Sequence, residues 1–356
     1  LERALRRMLA ADSSPQVPLL LWVSGPPGCG RATLLREIRG KHEGDGVRWI
    51  EGSAFPGTGE ILEPILRGVR ELVNEMKSLA DGGFDPWRDV WKKTVDVRAP
   101  ALCRVLPEVP WGKKITPFPE LEPRFERSRL LDHLAGLVLD YAEHAPLVLQ
   151  IDGAEFLDGL SRDAVATLVR VLRTRRHGRV AGLPLPPPPP LALVLVSGER
   201  ETPPLEGPDG EILNIPVRGL DRREFVRLIE SEYGAEQPLS VIEKLYQLTR
   251  GNRFDIERRI SWEARESDGG TPEDRAKRLL EFGNFDSEVA ARVRRRAAPE
   301  RGMLQALAVL GKPVSVTILE RMCGIPREEA ASMIGRLARE EWIVCDQGRV
   351  MRLSHE

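Results

Sequence analysis

Apolar runs set the rhythm of the first two thirds of the chain. Val17 to Ser24, Val47 to Glu51, Pro146 to Asp152, Leu191 to Ser197 and a shorter Ile212 to Val217 read as strands. Between them apolar residues return at helical spacing. Leu34, Leu35 and Ile38 predict a helix over 31–40, and Ile65, Val69, Leu72 and Met76 predict one over 61–79. Leu130, Leu131, Leu134 and Leu137 predict a helix over 130–142, and Val165, Leu168, Val169 and Leu172 one over 161–173. A short helical period at Leu1, Leu5 and Leu9 ends at the Asp12-Ser13-Ser14-Pro15 breaker. Strands alternating with helices predict an α/β fold. Residues 81–125 carry no such rhythm, are rich in Gly, Pro and Trp, and read as irregular; Trp87, Trp91 and Trp111 serve either packing or ligand stacking.

The pattern changes after the last strand. Helices are predicted over 222–233, 239–250 and 252–266, the first opened by Asp221 with Glu224 three residues on, a capping box in form. Gly251-Asn252 is a helix stop and restart. Residues 267–301 are charged and helical, with basic clusters at Arg275-Lys277-Arg278 and Arg292-Arg294-Arg295-Arg296. Three helices (Met303–Leu310, Val316–Cys323, Arg327–Glu340) and a hairpin (Trp342–Cys345, Arg349–Leu353) then predict a C-terminal winged helix. The expected domains are a core over 1–218, a helical lid and linker over 219–300, and the winged helix over 301–356.

Composition narrows the classes. At 356 residues and 41% hydrophobic the chain can build more than one core. A formal net charge of -1 gives no global case for nucleic acid or an anionic membrane. Four scattered cysteines without a CxxC pair fit a reducing compartment and argue against zinc. No apolar run is long enough to span a bilayer, so a cytoplasmic protein is expected. The tract LPLPPPPP at 183–190 favours polyproline II outside the sheet, as a stiff loop or a ligand for a proline-reading module. With no initial Met and no obvious ending, the chain reads as an excised piece of a longer protein.

Two places carry the candidate chemistry. Gly25-Pro26-Pro27-Gly28-Cys29-Gly30 joins the first strand to the first long helix, the layout of a phosphate-binding loop with free backbone N–H groups at a helix N-terminus. The usual pattern continues with Lys and then Ser or Thr; here Arg31 and Ala32 follow, and Thr33 lies one place late, about 100° round the helix. Asp152 ends the strand PLVLQID, the place of a magnesium-holding acid; a plain strand-end turn is the alternative. Gly153 stands where a second acid would orient water, which leaves Glu155 as the candidate catalytic base. Arg200, at the tip of the strand ending in Gly198-Glu199-Arg200, is either a nucleotide sensor or a surface arginine. The last predicted helix mixes Arg336 and Arg339 with Glu328, Glu329, Glu340 and Glu341, which favours packing and regulation over DNA binding.

Taken together, GPPGCGRATLL, PLVLQIDGAEFLD, LALVLVSGER, LTRGNRFDIE and LQALAVLGKPVSVTILERMCGI resemble the signal-transduction ATPases with numerous domains, the AAA+-related STAND class of bacterial regulators, LuxR-type or kinase-linked. The resemblance implies a P-loop NTPase parallel-sheet core, a helical lid and a winged helix, with ATP or ADP as cofactor and Mg2+ at Asp152. A fully degenerate site would hold none. It implies a switch whose partners are other protein domains, other subunits or its own copies, with no membrane. Arg200 falls at the family's arginine after the sensor strand, and His355 near a winged-helix histidine that contacts phosphates in some relatives. The family's Gly-Asn-Pro is here Gly251-Asn252-Arg253. Together with Arg31, Ala32 and Gly153 this predicts a regulatory module with weak or absent hydrolysis. A slow Mg-dependent ATPase of a transcription regulator and a DNA-binding winged-helix module are the alternatives.

Overall fold

The computed structural model describes residues 1–10, 19–54, 61–112, 115–177, 179–180, 183–198, 211–233, 238–266, 279–280, 285–310, 314–340, 342–346 and 350–353. They divide into two compact units, the first made of Leu1–Ala54, Glu60–Leu220 and Asn252–Phe254. In chain order this unit contains α1 (Glu2–Leu9), β1 (Leu20–Ser24), α2 (Arg31–His42), β2 (Arg48–Ser53), α3 (Glu63–Asp81), α4 (Asp85–Lys93), α5 (Ala99–Leu102) and α6 (Pro123–Ala142). There follow β3 (Leu147–Asp152), α7 (Gly159–His177), β4 (Arg179–Val180), β5 (Leu183–Pro184), β6 (Leu191–Ser197) and β7 (Ile212–Pro216).

Five strands form one parallel sheet in the order β2-β3-β6-β1-β7. Helices cover both faces, which explains why the central strands are apolar almost throughout. The alternation of side chains sorts each strand between two cores. Leu20, Trp22, Leu147, Leu149, Ile151, Leu193 and Leu195 face one core, with Leu72 and Met76 of α3, Leu134 of α6 and Leu168 of α7. Leu21, Val23, Val148, Val194 and Val196 face the other, with Leu5 of α1 and Leu35 and Ile38 of α2.

Residues 81–125 are more regular than their sequence predicts. They hold α4, a π-helical turn over Thr94–Arg98, α5 and the start of α6. The helices are short and carry proline in their first turn, so local period is weak; tertiary contacts complete them. Trp87 packs on Tyr141 with ring centres 5.0 Å apart, and Trp91 stacks on Trp111 at 6.1 Å. The buried Asp140 carboxylate ties this region down, accepting from Lys93 Nζ at 2.6 Å and Arg98 Nε at 3.0 Å. Helix α7 is also longer than expected at both ends. Asp158 caps it, with Oδ1 accepting from Leu160 N at 2.9 Å and Ser161 N at 3.0 Å. The start of the proline tract does pair, since β5 runs antiparallel to β4 in a separate two-stranded sheet; the rest stays out of the five-stranded sheet until its last residue, whose carbonyl accepts from Leu147 N at 2.9 Å. A proline lacks a donor, not an acceptor, so the tract can feed directly into β6.

The second unit comprises Phe55–Gly59, Asp221–Gly251 and Asp255–Glu356. Its first part is helical, with α8 (Arg222–Tyr233), α9 (Leu239–Thr249) and α10 (Arg253–Glu266), whose first two residues belong to the first unit. The expected capping box forms in both directions: Asp221 Oδ1 accepts from Glu224 N at 2.8 Å, and Glu224 Oε2 accepts from Asp221 N at 2.9 Å. Phe225 meets Tyr246 edge-on at 5.2 Å, fixing α8 on α9. Arg250 at φ 50° and Gly251 at φ 72° end α9 in the left-handed region. Next come α11 (Phe285–Arg295), α12 (Ala298–Leu310), β8 (Val314–Ser315), α13 (Val316–Cys323), α14 (Arg327–Arg339), β9 (Ile343–Asp346) and β10 (Val350–Leu353). The last three strands pair antiparallel in the order β8-β10-β9. Met303, Leu307, Leu319, Met333, Leu337 and Ile343 fill the core between them and the helices.

Candidate functional site

In a parallel sheet the C-terminal strand ends gather on one edge, where backbone turns leave room for ligands. Here that edge carries Ser24, Asp152, Ser197 and Pro216, the last residues of β1, β3, β6 and β7. The loop Gly25–Gly30 leaves β1 and enters α2 on this edge. Gly30 is the N-cap of α2 at φ 98°, and a side chain added there would meet nothing within 4 Å, so this end of the loop opens outward. Gly25 is closed, because a Cβ would fall on the Val217 carbonyl oxygen. At Gly28, φ 78°, a Cβ would lie 2.6 Å from Phe254 Cβ and 2.7 Å from Asn252 Oδ1. Asn252 Nδ2 donates to Pro27 O at 2.7 Å, and Phe254 N donates to Gly28 O at 3.3 Å. The Asn252–Phe254 segment thus packs on the loop within the first unit. The sequence marked Asn252 as a helix restart and as part of the counterpart of the family's Gly-Asn-Pro; contact with a loop more than two hundred residues away has no local signal.

Arg31 opens α2 and turns along the edge. Its Nη1 donates to the carbonyl oxygen of Ser197 at the end of β6. Ser197 also receives Trp22 Nε1 on its hydroxyl at 2.6 Å, so the end of β6 is held from both sides. Ala32 and Thr33 are exposed on the first turn. Cys29 is buried inside the loop, its backbone N–H donating to Pro26 O at 3.3 Å.

On the other side of β6, Asp152 ends β3 with an exposed side chain. The protein around the carboxyl raises its pKa above the ordinary value; the Gly153 N–H, donating to Oδ1 at 3.0 Å, and the nearby Arg31 charge pull the other way, and Glu155 and Glu51 push up again. Gly153 is left-handed at φ 67°, and a Cβ there would strike the Ala54 carbonyl oxygen. That oxygen is fixed in place because Ala54 N donates to Asp152 O at 2.9 Å. A second acid directly after Asp152 is therefore excluded by the backbone. Glu155 lies in the short 3-10 turn Ala154–Phe156. Its Oε1 accepts from Gly198 N at 2.7 Å, and its Oε2 is buried without a hydrogen bond. The structure thus brings Gly25–Thr33, Asp152 and Glu155 to one edge. Arg200, His355 and the basic cluster at 275–278 lie outside the described residues.

The residues fit an anion. An open glycine turn, a twelve-residue helix entering at its N-terminus and an arginine on its first turn supply donors and positive charge. They do not fit a divalent metal. Ala32 offers no oxygen, Asp152 shares its surroundings with the Arg31 cation, and no group of three or more His, Cys, Asp or Glu able to hold a metal exists among the described residues.

A family model described as an AAA ATPase domain matches residues 2–181. No curated protein matches the sequence. Solved structures that align over most of the chain include a Thermotoga maritima RuvB mutant, 13% identical over 98% of this chain and 90% of that one, with a TM-score of 0.35. The E. coli MS115-1 HORMA:CdnC:Trip13 complex contributes a chain 12% identical over 80% of this chain and 86% of its own, TM-score 0.42. Drosophila ORC bound to DNA contributes one 12% identical over 98% and 89%, TM-score 0.33. Likenesses this distant carry no functional argument. Among the described residues no helix is long and apolar enough to cross a membrane.

Proposed function

The chain belongs to the AAA ATPase domain family of nucleotide-binding modules, and from that premise we propose that it is a regulatory switch or scaffold of signal transduction that hydrolyses ATP weakly or not at all. The observation that carries this reading is Gly153. Where a water-orienting acid would follow Asp152, the backbone has no room for a Cβ. Glu155, the substitute acid, is committed to the Gly198 N–H and acts as a brace for the end of β6. Without a base, and with Ala32 in place of a hydroxyl, binding of nucleotide and its hydrolysis are separated.

In this reading the three-part division at residues 218 and 300 holds, and ATP or ADP binds at Gly25–Thr33. Arg200 senses the phosphates and His355 contacts them. The module works in the cytoplasm through other protein domains, other subunits or its own copies, in the manner of the STAND class. The C-terminal part, 301–356, is a winged helix used for protein contacts. Two arginines of its last helix have partners within the unit: Arg336 pairs with Glu300 at 2.9 Å, and Arg339 Nε donates to Gly335 O at 3.1 Å. Glu328 and Glu329 in the first turn of α14 further disfavour a DNA groove.

Thermal unfolding with ATP or ADP, together with steady-state phosphate release, tests the proposal. Nucleotide is expected to raise the melting temperature through linkage, with phosphate release near background. Turnover at the level of ordinary switch ATPases, lost in Glu155→Gln, would overturn it. That substitution keeps an acceptor for Gly198 and removes only the base.

A further inference from the structure

We infer that Arg31 is the resident cation of this site, and that the chain holds the phosphates of a nucleoside di- or triphosphate without a divalent metal ion. The inference rests on the nucleotide-binding reading and specifies how that binding is achieved.

The geometry is set by strand order. β6 lies between β1 and β3. Arg31 follows the β1 loop, yet its guanidinium reaches the Ser197 carbonyl at the end of β6. It therefore lies on the way from the phosphate loop to Asp152, and its charge acts on the Asp152 carboxyl. This is the ground a metal ion would share between the loop and the acid. Everything a metal would need there is weakened. Ala32 has no oxygen to give, and Asp152 Oδ1 already takes the Gly153 N–H at 3.0 Å. A dication would also sit beside a fixed guanidinium and be repelled by it. The same guanidinium suits phosphate: it presents five donors in a planar fork. The Ser197 carbonyl anchors it at one nitrogen and sets its direction. An arginine is longer than a lysine, and that extra reach is what carries the charge from the loop to the strand end.

Binding of ATP and ADP by calorimetry, in excess Mg2+ and in excess EDTA, tests the inference on the whole chain. The dissociation constants in the two conditions are expected to agree within about threefold. Arg31→Ala is expected to weaken binding in EDTA by about tenfold or more, with folding checked by its melting curve. Asp152→Asn should leave affinity unchanged or tighten it, because it removes a negative charge near the phosphates. The double variant Arg31→Lys with Ala32→Ser, which shortens the cation and restores the hydroxyl, should become Mg2+-dependent. If Mg2+ tightens binding to the unaltered chain about tenfold or more, and Asp152→Asn removes that gain, Arg31 is not the resident cation and nucleotide binding itself still stands. If neither nucleotide binds in either condition, the nucleotide-binding reading fails and this inference with it.

Discussion

The loop after β1 and the turn after β3 are both glycine turns on the same sheet edge, and they use glycine for opposite ends. At Gly30 the left-handed backbone faces open space, so the missing side chain leaves room for something to approach. At Gly153 the left-handed backbone presses against the Ala54 carbonyl, so the missing side chain lets two strand ends close together. The first glycine leaves open space and the second lets the fold close. A missing acid at 153 is thus a consequence of how β2 and β3 end, since any side chain there would force them apart. In the proposed reading the loop offers the shape for phosphate, while the neighbouring turn has no room for the acid that hydrolysis would use.

The largest expected effect breaks or confirms that contrast directly. Gly153→Glu should cost about 3 kcal/mol of unfolding free energy in urea titration, from backbone strain plus overlap, and should not raise phosphate release. Gly30→Ala should cost only about 1 kcal/mol, the strain of a left-handed alanine without any clash. Equal costs at the two positions would refute the contrast. Asp158→Ala should lose about 1 kcal/mol through the α7 cap, and Asp158→Asn should recover most of it.

The smallest effect is a titration order. Burial pushes the Asp158 carboxyl up, but hydrogen bonds from Ser161, Leu62 and Leu160 outweigh it and hold the pKa below its usual value. Asp158 therefore contributes stability above the unfolded-chain pKa and loses it as pH falls through the folded one, so the gap between the protein and Asp158→Ala should shrink in acid. Asp152 is shifted the other way and favours the protonated fold as pH drops. Carboxyl NMR on lowering the pH should show Asp152 protonated before Asp158; the reverse order would mean that the Gly153 N–H and the Arg31 charge outweigh the surrounding protein and the neighbouring acids at Asp152.

Much of the core was legible because its signals are local. Continuous apolar runs marked β1, β3 and β6, and Asp221 with Glu224 announced a cap that forms in both directions. The Asp158 cap carried a comparable signal, an aspartate three residues before Ser161, and the helical period alone placed the start of α7 too late. The short helices of 85–102 escaped because their apolar faces are completed by Tyr141 and Trp111 from other segments. In the candidate site, the sequence named the residues and missed their commitments. Glu155 looked available as a base, and only the fold ties it to Gly198.

The sequence by itself determined an α/β chain with a phosphate-type glycine loop, an acid at a strand end, and helices and a hairpin after the sheet. Period and glycine placement suffice for these, because they act over a few residues. The tertiary structure decided what those residues do to one another. It put β6 between β1 and β3, so that Arg31 meets the Ser197 carbonyl, and it set Ala54 against Gly153, so that no second acid fits. Such contacts join residues far apart in the chain, and only the packing of strand ends fixes which backbone atom lies beside which side chain.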